Sequence, residues 1–254
     1  MHIRAAEGHD GAHMSEEKSP RRRRSTAKLL LGLLVLASAG VAFWLGMVPQ
    51  GFNPLPRLSL SKPGQWFVDL RLAALRNQPD QCAALLNDPE LSAKQIDDKP
   101  FENGCGWQNA MRLSSAGGAS LPVGALTCEM AAGLAMWIAH DIQPLAQEMF
   151  GAKVTRVLHM GGYACRNIIG SKVLKGFRSQ HATANAIDIS GFRLSNGRTV
   201  RLARGWKRDD VESRFLRAAH RSACRYFRIA LSPDFNSAHY DHFHFDRGPF
   251  VRCK

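Results

Sequence analysis

The chain has no cysteine before residue 82 and no C-x-x-C pair anywhere. That absence argues against a cysteine-zinc site, whose ligands come in close-spaced pairs. What remains is six widely spaced cysteines: Cys82, Cys105, Cys128, Cys165, Cys224 and Cys253. An even set in an exported domain reads as disulfides, and the spacing does not choose their connectivity. Acidic residues are scarce, 21 against 34 Lys and Arg, for a formal net charge of +13. Residues 1–28 carry +3 of that, leaving +10 on the rest. Such a surface favours polyanions, whether nucleic acid, anionic lipid or cell-wall polymer. No internal repeat is present, which excludes solenoid and propeller arrays. With 254 residues, 45% of them hydrophobic, the chain is long enough for one large domain or two small ones and can bury a sizeable core.

Charge is also missing from "LLLGLLVLASAGVAFWLGMV" (29–48), directly after "RRRRSTAK" (21–28). Twenty uncharged residues are about the length that spans a bilayer. The arginines predict a cytoplasmic N-terminal side, so the remainder is exported. Ala37-Ser38-Ala39 resembles a signal-peptidase site, which makes a cleaved signal the competing reading. The apolar run continues past Ala39 and the preceding segment is long, both of which favour an uncleaved anchor. Residues 1–28 are expected to be a disordered basic cytoplasmic tail in which Met14 is an alternative start. An oxidising compartment and an anchor together weaken the nucleic-acid reading.

Residues 49–65, rich in Pro, Gly and Ser, read as a linker. Beyond it, 66–254 is read as one domain. Helical periodicity over 66–88 is interrupted by Pro79, giving two short helices. Residues 89–120, with "NGCGW" and "SSAGGAS", read as loop-rich. Residues 126–151 form the clearest helix, with Thr127 as N-cap, Gly151 at the C-terminus and Pro144 kinking or splitting it. Strands follow at 153–160, 186–194, 198–203, 226–232 and 242–246, with an amphipathic helix at 208–224. Helices come mainly first and strands later. The expected class is α+β: a helical region packed on a largely antiparallel sheet.

"HYDHFHFD" (239–246) holds three of the ten histidines. In a strand, His242 and His244 share one face while Phe243 and Phe245 point into a core. The bland reading is chance histidines on a half-exposed strand. The sharper one is a metal site, and its partner lies in "SQHATANAID" (179–188). Asp188 sits among apolar strand residues, and a buried carboxylate is costly unless paired or metal-bound. His181 leads into the same strand. Two histidines and a carboxylate with a fourth position open are a catalytic zinc set.

Three blocks, "GGYACRNI" (161–168), "SQHATANAIDISGF" (179–192) and "HYDHFHFD", resemble the extensin-like C-terminal domain of bacteria over about residues 66–253. They in turn look like the zinc D-Ala-D-Ala metallopeptidase superfamily, which includes the penicillin-insensitive murein endopeptidases. That superfamily's S-x-H-x-x-G-x-A-x-D falls on Ser179, His181, Ala184, Ala186 and Asp188, and its H-x-H on His242 and His244. The resemblance implies Zn2+ on His181, Asp188 and His244, with His242 as general base. It further implies Arg166 at the oxyanion or a substrate carboxylate, and His239 as another active-site histidine. Ser179 or Asp241 is expected to orient a ligand through its second ring nitrogen. Ala184 departs from the signature glycine. No glutamate precedes the last histidine, so the histidine-using endopeptidases are the nearer analogy.

The implied function is a membrane-anchored zinc metallopeptidase acting on peptidoglycan peptides from the periplasmic side of the inner membrane. Two readings compete with it. One is a non-catalytic, tethered wall-binding module on a peptidase scaffold. The other is a zinc phosphoester hydrolase resting only on basicity and histidines. No nucleic-acid partner is expected, and oligomeric state is not legible.

Overall fold

A computed structural model describes residues 20–85 and 87–254. The expectations about residues 1–19, including the alternative start at Met14, lie outside the described residues. The chain divides into two compact units, split between Val41 and Ala42.

Helix α1 runs from Pro20 to Trp44. It takes in the arginines at 21–24, so the disorder expected up to residue 28 does not extend over 20–28. Arginine is a good helix former, and an apolar helix propagates readily into it. Within α1, Thr26–Trp44 is an exposed helix long and apolar enough to cross a membrane, as an anchor or as a signal sequence. It stops at Trp44 rather than at Val48. Gly46 turns the chain at φ +71°, and a Cβ there would lie 2.0 Å from the Ala73 carbonyl oxygen. Within the second unit the segment after the turn is held down: the Asn77 and Gln78 amides donate to the carbonyls of Gly46 and Val48 at 3.2 Å each.

Residues 49–65 carry no regular structure beyond a turn at Gln50–Phe52, yet they are no free linker. Leu58 and Leu60 belong to the hydrophobic core, and the His140 ring meets the Leu60 carbonyl at 2.6 Å. Pro and Gly content marks irregular backbone; it does not report whether interspersed leucines are buried. Next come α2 (Val68–Ala74) and α3 (Pro79–Leu85), with Pro79 opening the second, where its missing N–H costs nothing.

The largest difference from expectation is at 89–120. Instead of loops, the segment forms most of five strands: β1 (Leu91–Gln95), β2 (Lys99–Glu102), β3 (Cys105–Trp107), β4 (Ala110–Ala116) and β5 (Ala119–Thr127). The Gly-rich signals are the hairpin turns between them. Asn103 and Gly104 have φ of 49° and 75°, and Gly117 and Gly118 of 54° and 74°, the left-handed pairs that match two-residue hairpins to strand twist.

Helix α4 (Cys128–Trp137) then passes through a wider π turn (Ile138–Ile142) into α5 (Gln143–Phe150). Pro144 lacks the N–H that His140 would need in a regular helix, so the split expected there is seen. Gly151 ends α5 at φ +60°. Thr127 does not cap α4 with its side chain; its hydroxyl donates to Asn185 Oδ1 at 2.8 Å instead. The remaining elements are β6 (Val154–Gly161), β7 (Ala186–Leu194), β8 (Thr199–Arg201), α6 (Leu202–Gly205), α7 (Val211–Ala223), β9 (Ile229–Leu231), β10 (Phe243–Asp246) and β11 (Arg252–Cys253).

The fold is α+β with a mixed, mostly antiparallel sheet in the order β1-β4-β5-β6-β7-β10-β9-β11, with β8 on β7. Among the described residues, only β5–β6 and β9–β11 are parallel pairs. Helices and strands alternate along the chain rather than segregating. One face of the sheet packs on the helices. Trp137 of α4 lies 5.2 Å from Phe245 and 6.0 Å from Phe192, ring to ring. All six cysteines pair, as Cys82–Cys128, Cys105–Cys165 and Cys224–Cys253, which points to an oxidising compartment.

Candidate metal centre

Strand β10 pairs antiparallel with β7, placing His244 directly opposite Asp188 and Phe243 opposite Ile189. The phenylalanines are fully buried in the core. The imidazole of His244 therefore emerges on the other face of the sheet, beside the carboxylate. His181 arrives from the turn Gln180–Thr183, which precedes β7. That turn ends at Ala184 with φ 54°, the left-handed position at which the signature has glycine. Alanine holds the turn at some strain.

The three side chains converge. His181 Nε2 lies 3.1 Å from Asp188 Oδ1 and 3.2 Å from His244 Nδ1. His244 Nδ1 lies 2.9 Å from Asp188 Oδ1. One ligand atom from each falls within 4.8 Å of the others, and all three residues are buried or nearly so. The outer ring nitrogens are fixed by acceptors. His181 Nδ1 donates to the Gly162 carbonyl at 2.8 Å, and His244 Nε2 donates to Asp246 Oδ2 at 3.0 Å. With a metal bound, neutral rings held in this way would turn a lone pair inward, the arrangement that orients metal-ligating histidines. Nitrogen, nitrogen and carboxylate oxygen are a donor set that zinc accepts.

The carboxylates and histidines compensate one another electrostatically. Burial works to raise the Asp188 pKa, but hydrogen bonds from His181 and His244 hold it below the usual carboxylate range. Burial would lower His244, and the flanking carboxylates of Asp188 and Asp246 instead push it up to about 9.

The remaining predicted residues surround this trio. Arg166 Nη2 is 3.7 Å from Asp188 Oδ2, on a strip tied down by Cys105–Cys165. His242 Nε2 is 3.7 Å from Asp188 Oδ1, and its Nδ1 meets Asp241 Oδ1 at 2.9 Å. His239 forms an outer layer, its ring 5.2 Å from His242 and 5.8 Å from His244, with Nδ1 on Asn236 Oδ1 at 2.7 Å. Burial, then the neighbouring His244 and His242, lower its pKa to about 4.

Two expectations are corrected. Ser179 does not meet a ring nitrogen of a ligand; its hydroxyl caps the turn by accepting from the His181 backbone N–H at 3.4 Å. Asp241 orients His242 rather than one of the three. The groups that orient His181 and His244 are Gly162 and Asp246. Asp246 was findable, since the period of two that pairs His242 with His244 continues to it. A backbone carbonyl such as that of Gly162 leaves no sequence signal.

Among known proteins, the family model described as "Extensin-like protein C-terminus" matches residues 80–254. No curated protein and no solved structure matches the chain.

Proposed function

We propose a function from one premise: the chain belongs to the extensin-like C-terminal family. The reading is a zinc metallopeptidase that hydrolyses peptides of peptidoglycan, held at the inner membrane by α1 with its second unit in the periplasm. The resemblance to the D-Ala-D-Ala metallopeptidases supplies the reaction class. The observation that carries it is the convergence of His181, Asp188 and His244 beside a His242–Asp241 pair and Arg166.

His181 through Nε2, Asp188 through its carboxylate and His244 through Nδ1 would hold the metal. Zinc, when bound, supplies a Lewis acid beside the reacting water and carbonyl. Asp241 accepts the Nδ1 proton of His242 and leaves Nε2 as the basic nitrogen. That nitrogen takes a proton from the attacking water and passes it to the leaving amine as the C–N bond breaks. Arg166 neutralises charge developing on the carbonyl oxygen.

Full-length protein in detergent, loaded with zinc and incubated with peptidoglycan sacculi, tests this by muropeptide analysis. Wild type is expected to release new products. His242→Ala is expected to keep its zinc and lose the products. A second reading has its own support: His242 Nε2 sits close enough to Asp188, at 3.7 Å, to serve as a fourth ligand and close the site. The protein would then be a wall-binding module. Zinc-loaded wild type that sediments with sacculi but yields no product favours that reading.

A further inference from the structure

The face of the sheet that carries Asp188 also carries an arginine cluster. Strands β1, β4, β5, β6, β7 and β8 hold five cationic residues, Lys94, Arg112, Arg156, Arg193 and Arg201, and a single acidic one, Asp188. Arg156, Arg193 and Arg201 are exposed, while their neighbours Val154, Val157, Phe192, Leu194 and Val200 are buried. The three guanidinium groups therefore stand on the face opposite the helices. Arg156 is directly opposite Arg193 across β6–β7, and Arg201 is opposite Gly191 across β7–β8. Like charges directly opposite one another destabilise a sheet. None of the three forms an ion pair among the described residues. The Arg156 charge is felt at His159, whose pKa burial first and then Arg156 lower.

Position ties the cluster to the metal centre. Along β7, Arg201 is level with the third residue after Asp188, and Arg193 is the fifth after it. At ~3.3 Å per residue, these lie about 10 and 16 Å from the carboxylate. An extended peptide covers that span in three to five residues at ~3.3–3.6 Å each. The chemistry also selects against single-stranded nucleic acid, which needs aromatic platforms for its bases. The one aromatic residue in these six strands, Phe192, is buried in the core.

We propose that Arg156, Arg193 and Arg201 form a carboxylate-binding subsite that holds an acidic peptide chain leading to the metal centre. This rests on the peptidase reading and names its substrate class: peptides with free carboxylates several residues from the cleaved bond.

The test uses full-length zinc-loaded protein in detergent and sacculi, unmodified or with free carboxylates amidated. A triple variant, R156Q/R193Q/R201Q, is expected to keep its zinc and lose roughly tenfold in affinity for unmodified sacculi. Amidation is expected to weaken wild type similarly and leave the triple variant unchanged. The corresponding lysine triple should recover most of the binding. Arg156→Gln alone should hold or raise the Tm, because it relieves repulsion with Arg193; a lower Tm would mark the arginines as structural and overturn the subsite. Wild-type affinity in the glutamine triple, or no response to amidation, also overturns it. So does competition by a single-stranded oligonucleotide as effective as that by acidic muropeptides. Zinc-loaded wild type separates the two ideas: sacculus affinity that is carboxylate-dependent without any product formation sinks the cleavage reading and leaves the subsite standing.

Discussion

Asp246→Asn should weaken zinc binding through a change of tautomer two bonds away from any ligand atom. In the native protein Asp246 uses both oxygens: Oδ2 accepts from His244 Nε2 at 3.0 Å, and Oδ1 accepts from the Gly248 N–H at 2.9 Å. Asparagine has one carbonyl oxygen and one NH2 in the same frame. The Gly248 N–H claims the oxygen, which leaves the amide nitrogen facing His244 Nε2. Two donors then confront each other, and the ring escapes by moving its proton to Nδ1. That nitrogen is the one 2.9 Å from Asp188, so the inward lone pair needed for coordination is lost. Second-layer changes of this kind cost about 10–100-fold in metal affinity, or roughly 1.4–2.7 kcal/mol. The assay is competition for zinc against a chromophoric chelator on full-length protein. Ser179→Ala, which removes only a turn cap, is the control expected to bind as wild type. Asp246→Asn with wild-type affinity, measured beside a His181→Ala variant that has lost zinc, would refute the tautomer argument while leaving the site in place.

Other outcomes can be checked on the same protein. Gly46→Ala should lower the Tm clearly, since a Cβ would sit 2.0 Å from the Ala73 oxygen at a φ of +71°; strain of this kind costs ~1–3 kcal/mol even before the clash. Removing Cys224–Cys253, which closes 29 residues, should cost about 3–4 kcal/mol by chain entropy, read from urea midpoints. Asp69 should make the fold acid-sensitive. Burial raises its pKa, but hydrogen bonds and charge from Arg228 and Arg247 outweigh that and hold it below its ordinary value of 3.8. A depressed folded pKa means the stabilisation is complete above 3.8 and is lost as pH falls through the folded value. Urea midpoints that fall no further below pH 4 in wild type than in Asp69→Asn would contradict this.

Much of the candidate site was legible because strand periodicity is rigid. Once 242–246 is a strand, the faces of His242, His244 and both phenylalanines follow, and Asp188 stands out as a carboxylate in an apolar run. The acid and imidazole then meet by register. What was not legible depends on tertiary placement. The segment 89–120 read as loop because its glycines dominate local composition, yet the same glycines close tight hairpins. The stretch 49–65 read as linker because Pro and Gly mark irregular backbone, while burial of Leu58 and Leu60 depends on a groove made elsewhere. Neither Ser179 nor Asp241, the two residues expected to orient a ligand, does so. The real orienters are a carbonyl 19 residues before His181 and a carboxylate two residues after His244.

The residue after Asp246 explains why the strand end can be held so firmly. Asp246 turns toward the candidate metal centre, and Arg247 turns the other way into full burial. There it donates to Glu129 of α4 at 3.1 Å and to Asp69 of α2 at 2.9 Å. Arg76 shares Glu129 at 2.7 Å, and Arg228 shares Asp69 at 3.0 Å. Three cations on two carboxylates leave the cluster net positive, and carbonyl oxygens accept further hydrogen bonds from it, though Arg228 Nη1 stays buried without a partner among the described residues. Arg76 reaches the Arg247 carbonyl at 2.8 Å, and Arg228 donates to the Trp44 carbonyl at 2.5 Å. Apolar residues of similar volume often stabilise a fold more than buried ion pairs do. Directionality is what such a cluster adds, because each guanidinium fork fits one arrangement of acceptors. Arg247 thereby fixes the backbone at the end of β10, and with it the side on which Asp246 meets His244. Breaking the cluster by Glu129→Gln should cost up to ~3–5 kcal/mol, because it leaves three arginines, two of them buried, with the single carboxylate of Asp69. At temperatures where that variant is still folded, its zinc affinity should fall as well. Unchanged affinity in a destabilised Glu129→Gln would show that the cluster supports the fold without positioning the metal ligands.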